Sequence, residues 1–262
     1  MPPLDVDALR NRLGPPWRRL DVVPKTGSTN ADLLTRASAG EDIDGAVLIA
    51  EYQTAGRGRY QRPWSATPRG QITMSVGVAA ADVPTDAWGW LTLAAGVAVA
   101  DAVAATTGVT AALKWPNDVL AGPGKLAGIL SEVAAPRPVV VIGVGLNVAS
   151  SPDPAATSLA DLGIASPDRT ALVGSLLTEL GRRIATWRAA AGADERLTGD
   201  YRTRCATLGT PVRVTLPGDR EIVGTATAID ERGRLCVAAG DETIAVSAGD
   251  VVHLRPIHRL DP

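Results

Sequence analysis

The chain has 262 residues and a formal net charge of -2, with 45 % hydrophobic residues, 21 % charged residues and no phenylalanine. That length holds one large domain, or one with a small companion, around a core of small aliphatic side chains. The charge argues against general nucleic-acid affinity, which needs a broad basic surface. Two cysteines, Cys205 and Cys236, make neither a disulfide framework nor a metal site and read as free thiols in a reducing compartment.

The first residues lack a basic head followed by an apolar run, so no signal peptide is expected. Residues 1–20 are proline-rich and read as a loosely packed lead-in. Ser28-Thr29-Asn30 is an N-cap signal for a short helix that stops at Gly40. Residues 45–52 (GAVLIAEY) form a β-run, and 71–78 (QITMSVGV) alternate polar and apolar as a half-buried strand does. Residues 86–107 predict a long alanine-rich core helix opened by Thr85 or Asp86. Its most apolar part, 91–105, is interrupted by Asp101 and reads as too short and too weakly apolar to cross a bilayer. A cytoplasmic protein with no membrane partner is the expectation.

Residues 111–121 and 125–133 predict a β-hairpin turned by Gly122-Pro123-Gly124, with Lys125 opening the return strand. Pro116, between two β-runs, implies a bend or bulge. Residues 138–148 are continuously apolar and predict a strand buried on both faces. A Pro/Asp/Ser-rich connection follows over 151–165. Ser166-Pro167-Asp168 reads as an N-cap with proline at the first helical position. Leu172, Val173, Leu176, Leu177, Leu180, Ile184 and Trp187 then fall at helical spacing, and a shorter helix spans about 194–205. Beyond Thr210 five short strands separated by turns, among them Pro217-Gly218-Asp219, predict a small SH3-like β-barrel. The division is 1–208 and 209–262.

Chemistry concentrates at a few points. Gly56-Arg57-Gly58-Arg59-Tyr60-Gln61-Arg62-Pro63-Trp64, with Arg69 beyond, packs guanidinium forks into a glycine-bearing loop. Such forks suit phosphate and carboxylate, the glycines permit close backbone approach, and Trp64 offers a flat face for a base. The loop reads as an anion-gripping segment, mobile until an anion relieves the repulsion among its arginines. It is neither a Walker A loop nor a dinucleotide fingerprint. Lys114-Trp115-Pro116-Asn117-Asp118 places a lysine for phosphate beside two side chains able to hold Mg2+. Lys125, in Gly124-Lys125-Leu126-Ala127-Gly128, is a lone charge at an apolar strand start and suits a ligand with a greasy tail and an anionic end. Gly143-Val144-Gly145-Leu146-Asn147 thins a buried strand so that something can lie against it. Ser28, Thr29, Asn30 and Gln53 offer hydroxyls and amides for a polar ligand head. His253 and His258 look peripheral.

In this order the motifs closely resemble biotin protein ligases, over roughly residues 20–262. The resemblance implies an α/β catalytic fold, a mixed sheet flanked by helices like that of class II aminoacyl-tRNA synthetases, with the C-terminal barrel. It implies an enzyme that makes biotinyl-5'-AMP from biotin and ATP, with Mg2+. The biotinyl group then passes to one lysine of a biotin carboxyl carrier domain of a carboxylase such as acetyl-CoA carboxylase. By resemblance Ser28, Thr29, Asn30, Gln53, Gly56, Arg57, Leu126 and Gly128 bind biotin. Arg57, Arg59, Arg62, Trp64, Lys114, Asn117, Asp118 and Asn147 bind ATP. Lys125 and the arginines Arg57, Arg59 and Arg62 carry the catalysis. The family often has a third loop glycine where Gln61 stands here. Its bifunctional members carry an N-terminal helix-turn-helix domain, for which the residues before the catalytic part are too few. A ligase without specific DNA binding is expected. The rivals are a lipoate–protein ligase, which needs no polar clamp at Ser28, Thr29 and Gln53, and a non-catalytic biotin- or nucleotide-binding module.

Overall fold

The two faces of one mixed sheet are covered by different helices, and this difference creates the site. In a computed structural model the described residues are 1–254, apart from 123, 217 and 219. In chain order the elements are α1 (Val6–Arg12), β1 (Arg19–Val23), α2 (Thr29–Ser38), β2 (Ala46–Ala50), β3 (Gly56–Arg57), β4 (Pro63–Trp64) and β5 (Gln71–Ala79). Then come α3 (Gly89–Thr107), β6 (Ala112–Lys114), β7 (Asp118–Ala121), β8 (Gly124–Ala134), β9 (Val139–Asn147), α4 (Arg169–Ala189) and α5 (Glu195–Arg204). The chain closes with β10 (Pro211–Thr215), β11 (Glu221–Ile229), β12 (Leu235–Ala239), β13 (Glu242–Val246) and β14 (Asp250–His253).

The large sheet has the order β1-β2-β5-β9-β8-β7-β6. β1 and β2 are parallel and the other neighbours antiparallel. Along β9, Val140, Ile142, Val144 and Leu146 enter the main core with α3 and α4, while Val141 packs with Leu33 and Ala37 of α2. Period-two alternation therefore sends Gly143 and Gly145 to the α2 face, beyond the end where that helix begins. Ser28 caps α2 by accepting from the Ala31 amide. The seven predicted apolar positions of α4 are all buried. Asp101, which interrupts the apolar run of α3, accepts from Arg183 of α4 and from Arg204 of α5, the latter at 2.8 Å. Arg183 also reaches Asp200 at 3.0 Å, so its buried charge is paired. Contrary to the expectation, the segment holding α3 is long and apolar enough to cross a membrane, the only such helical segment among the described residues, but most of it is buried inside the fold.

The C-terminal strands form one antiparallel sheet, β13-β12-β11-β10-β14, as the five predicted strands require. It shares a core with the rest of the chain. Trp90 and Trp115 donate from their indole nitrogens to the carbonyls of Glu231 and Gly233, at 2.8 and 3.0 Å.

Several other expectations are corrected. Residues 1–20 are not a loose lead-in: Asp5 caps α1, Leu9 is buried, and Trp17 donates to the Leu177 carbonyl at 2.8 Å. Pro116 marks neither a bend nor a bulge within one strand, because β6 and β7 fold back on each other as a hairpin around it. The cap of α4 is Asp168, which accepts from the Ala171 amide at 3.0 Å, so Pro167 precedes the helix. β5 is buried on both faces, since its polar row meets α2 and its neighbours instead of solvent. The β7–β8 turn is found, with Ala121 opposite Gly124. Pro123, Pro217, Asp219 and His258 lie outside the described residues.

His253 is not peripheral. It is half-buried on β14, and its Nε2 lies 3.1 Å from the Thr207 hydroxyl. Burial, then the positive charge of Lys114, lowers its pKa from 6.5. The unfolded chain thus takes up a proton that the folded chain refuses, and stability is lost as pH falls from 6.5 toward the lowered folded value. Thermal melts of His253→Gln should show a shallower fall across that window than wild type; an identical fall would remove His253 as its source.

Candidate active site

A cavity of about 790 Å³ opens on the α2 side of the sheet. That is within the ordinary range for a small-ligand site. Five cationic side chains, Arg57, Arg59, Arg62, Lys114 and Lys125, line it with three carboxylates, Asp118, Asp153 and Asp250. A positive surplus thus sits inside a chain whose net charge is negative. Apart from Gly56 and Leu126, every residue that the resemblance assigns to biotin, ATP or catalysis lines this space, whereas Arg69 does not. Leu126 is fully buried in the main core. Gly56 opens the loop in β3, opposite Trp64, where a Cβ would lie 2.6 Å from the Trp64 carbonyl oxygen and 2.9 Å from Gln53 Nε2.

At one end is a buried polar network. The Thr29 amide donates to Gln53 Oε1 at 2.8 Å, and the Thr29 hydroxyl lies 2.9 Å from the same oxygen and 2.6 Å from the Ser75 hydroxyl. Ser75 lies 2.6 Å from Asn30 Oδ1. Asn30 donates to Glu132 at 2.8 Å and to the Leu130 carbonyl at 3.2 Å. The opposite end holds the charges. Lys125 Nζ is 2.6 Å from an Asp118 carboxylate oxygen and 5.7 Å from the centre of the Trp64 ring.

Between them runs a floor without side chains. A Cβ at Gly143 would lie 2.3 Å from Asn30 Oδ1, and one at Gly145 would lie 2.4 Å from the Trp64 ring. The thinned strand is therefore covered by two of the chain's own side chains. The indole N–H of Trp64 is buried there without a partner among the described residues, so it remains available as a donor.

Two predicted ligand contacts are already engaged. Asn147 accepts from Gln71 at 2.9 Å and donates to the Thr157 carbonyl at 3.0 Å. This bracing ties the end of β9 to the 151–157 segment, part of which walls the cavity. Asn117 donates to the Ile129 carbonyl at 2.9 Å and closes the β6–β7 turn against β8.

The arginine loop is a narrow β3–β4 ribbon. Tyr60 and Gln61 have φ of 54° and 59°, so Gln61 occupies the left-handed region that a glycine adopts without strain. The expected repulsion among the arginines is answered from the C-terminal sheet. Arg59 donates to the Gly249 carbonyl at 3.0 Å, and both Arg59 and Arg62 pair with Asp250. Nothing in the sequence around Asp250 points to this role. Arg62 is two-thirds exposed and Arg59 stands 3.8 Å from the carboxylate, so these pairs hold the loop lightly. Asp250→Ala should therefore speed amide exchange across 57–62 in the ligand-free protein. Unchanged exchange would mean that the ribbon alone holds the loop.

Gln71, Met74, Ser75, Glu132, the 151–156 wall and Asp250 escaped the sequence reading. For Ser75 a signal existed: Gln71, Thr73 and Ser75 form a polar row in a strand with apolar neighbours. Glu132, a lone acid in an apolar strand, carried a similar one.

Two family descriptions match parts of the chain. Residues 22–148 match the biotin/lipoate A/B protein ligase family, and 207–254 match the biotin protein ligase C-terminal domain. The chain is 60 % identical to the biotin–[acetyl-CoA-carboxylase] ligase of Mycobacterium tuberculosis, over 97 % of each chain. Biotin protein ligase from Aquifex aeolicus, solved with biotin and ATP, superposes with a TM-score of 0.78 at 22 % identity, covering 91 % of this chain and all of that one. The Leishmania major enzyme with biotinyl-5-AMP gives a TM-score of 0.61 at 23 % identity, over 92 % and 100 %. At those identities the two structures speak for the fold.

Proposed function

The chain belongs to the biotin–[acetyl-CoA-carboxylase] ligases, and on that premise we propose that the cavity on the α2 face is where it joins biotin to ATP. The activity is ATP-dependent biotin–protein ligation. An oxygen of the biotin carboxylate bonds to the α-phosphorus of ATP, pyrophosphate leaves, and biotinyl-5'-AMP remains. The amine of a carrier lysine then attacks the acyl carbon, and AMP leaves with the former carboxylate oxygen. The observation that carries this reading is the pairing of a buried hydroxyl–amide network with a lysine-centred cationic end across a glycine floor.

In this reading the ureido head meets Thr29 and Gln53, with Ser28 and Asn30 behind them, and the valeryl tail crosses Gly128 and the floor. Carboxylate and phosphate repel one another, and Lys125 with Arg57, Arg59 and Arg62 offsets that repulsion as charge builds in the transition state. Lys114 faces the phosphates. Trp64 leaves the floor to stack on adenine, its free indole N–H gaining a partner. Asn147 acts by bracing the wall that adenine meets. Asp118, with Asn117 beside it, is the donor set for Mg2+. One cavity carboxylate suits an ion that keeps waters and is shared with substrate phosphates. The ion would supply charge neutralisation at the phosphates, and Asp118 would exchange its contact with Lys125 as the lysine turns to substrate. The arginine loop closes over the adenylate and excludes water.

The acceptor is a biotin carboxyl carrier domain, met in the cytoplasm, where both free thiols stay reduced. The catalytic part is taken as 1–208 and the barrel as 209–262. Incubation with ATP, Mg2+ and biotin, followed by a carrier domain, should give a streptavidin-reactive carrier. Labelling with lipoate in place of biotin would favour the rival ligase, whose disulfide-ring substrate has no N–H for the buried network.

A further inference from the structure

Resting on the ureido assignment above, we propose that Ser75, which does not line the cavity, sets its selectivity by withdrawing a proton from the head-binding pair Thr29 and Gln53.

Three close oxygen–oxygen contacts run in series: Gln53 Oε1 to Thr29 Oγ1 at 2.9 Å, Thr29 Oγ1 to Ser75 Oγ at 2.6 Å, and Ser75 Oγ to Asn30 Oδ1 at 2.6 Å. Only two hydroxyl protons exist to fill them. Both amide orientations are pinned by neighbours with a single role. The Leu130 carbonyl can only accept, so Asn30 turns its NH2 toward it and toward Glu132. The Thr29 backbone N–H can only donate, so Gln53 turns its oxygen toward it.

Asn30 Oδ1 must therefore receive the Ser75 proton. Ser75 then has only lone pairs left for Thr29, and the 2.6 Å contact between them needs the Thr29 proton. Nothing remains for the longer contact between Thr29 and Gln53. Either alternative would place the uncompensated contact on Ser75, which is fully buried, so a ligand could relieve only one of the two oxygens, whereas at Thr29 and Gln53 it can meet both. Thr29 and Gln53 both line the cavity, so an incoming donor can fill the deficit there. The head subsite thus presents two acceptor oxygens 2.9 Å apart with no proton between them. A ureido N–H fits this pair, and a disulfide ring does not. Ser75 is a positioning residue that acts through Thr29.

Ser75→Ala frees the Thr29 hydroxyl to satisfy Gln53, and the site loses its demand for a donor. The test compares biotin with its cyclic carbonate analogue, in which both ureido N–H groups are replaced by oxygen, by calorimetry and by steady-state kinetics. Wild type should prefer biotin by about a hundredfold or more. In Ser75→Ala that preference should shrink by roughly tenfold, with kcat at saturating biotin and KM for ATP within about twofold of wild type. Ser75→Cys keeps the side-chain shape with a weak donor. Its preference should fall between the two, and it carries the test if the alanine variant does not fold. An undiminished preference in either folded variant overturns the role of Ser75. So does a parallel fall of kcat and ATP affinity, which would mark general damage. A wild type indifferent to the two ligands would instead overturn the ureido assignment itself.

Discussion

Lys125→Ala should slow adenylate formation by about a hundred- to thousandfold while the protein stays folded. The two halves of that expectation rest on different magnitudes. Lys125 is about one-third exposed, and its partner Asp118 lines the cavity and is about one-fifth exposed. An ion pair in such a position contributes only about 0–1 kcal/mol to stability. In the proposed reacting complex the same ammonium would face a carboxylate and a phosphate forced together, where one well-placed contact is worth about 3–4 kcal/mol. Its loss also leaves Asp118 as an unpaired negative charge beside the anions. Single-turnover formation of biotinyl-5'-AMP by this variant, with its melting temperature recorded in parallel, tests the assignment. A rate within a few-fold of wild type sinks it.

Gly143→Ala should weaken biotin binding by roughly 30- to 150-fold, from about 2–3 kcal/mol of broken hydrogen bonds. The added methyl would lie 2.3 Å from Asn30 Oδ1 and 3.0 Å from its Cγ. This amide cannot swing aside freely, because Glu132, the Leu130 carbonyl and Ser75 all hold it. Displacing it breaks the Ser75 and Glu132 contacts together and disorders Thr29 and Gln53. Affinity for ATP alone should change far less. Calorimetry with biotin settles it, and near wild-type affinity would show that the network does not carry the head group. Gly145→Ala should be milder, since its Cβ meets a Trp64 ring that has reason to move.

The sequence was most legible where a residue type has one physical use. The apolar spacing of α4, the Ser28 cap and the five short C-terminal strands were all visible, because burial periodicity and capping are local. The motifs placed every cationic residue of the cavity lining in advance, since Lys125 and the arginine loop are charges in otherwise apolar or glycine-bearing stretches. What escaped depends on tertiary neighbours. The row Gln71, Thr73, Ser75 reads as a solvent face, and only the packing of α2 onto β5 turns it into a buried relay. Asp250 meets Arg62 across 188 residues, and no local pattern announces such a contact. Leu126 and Gly128 are close in sequence, yet Leu126 belongs to the core and Gly128 to the cavity. The register shift where β7 pairs with β8 makes facing at that point hard to read from spacing alone. Pro116 was seen as a disturbance, but whether a strand bends or reverses there depends on pairing between β6 and β7.

Pyrophosphate release from ATP, measured with biotin, with lipoate and with neither, tests the central claim most directly. Release should depend on biotin, and adding a carrier domain should turn a single stoichiometric burst into continuous turnover, as the adenylate passes to the carrier lysine. Release with lipoate but not biotin, or release indifferent to both, would contradict the account.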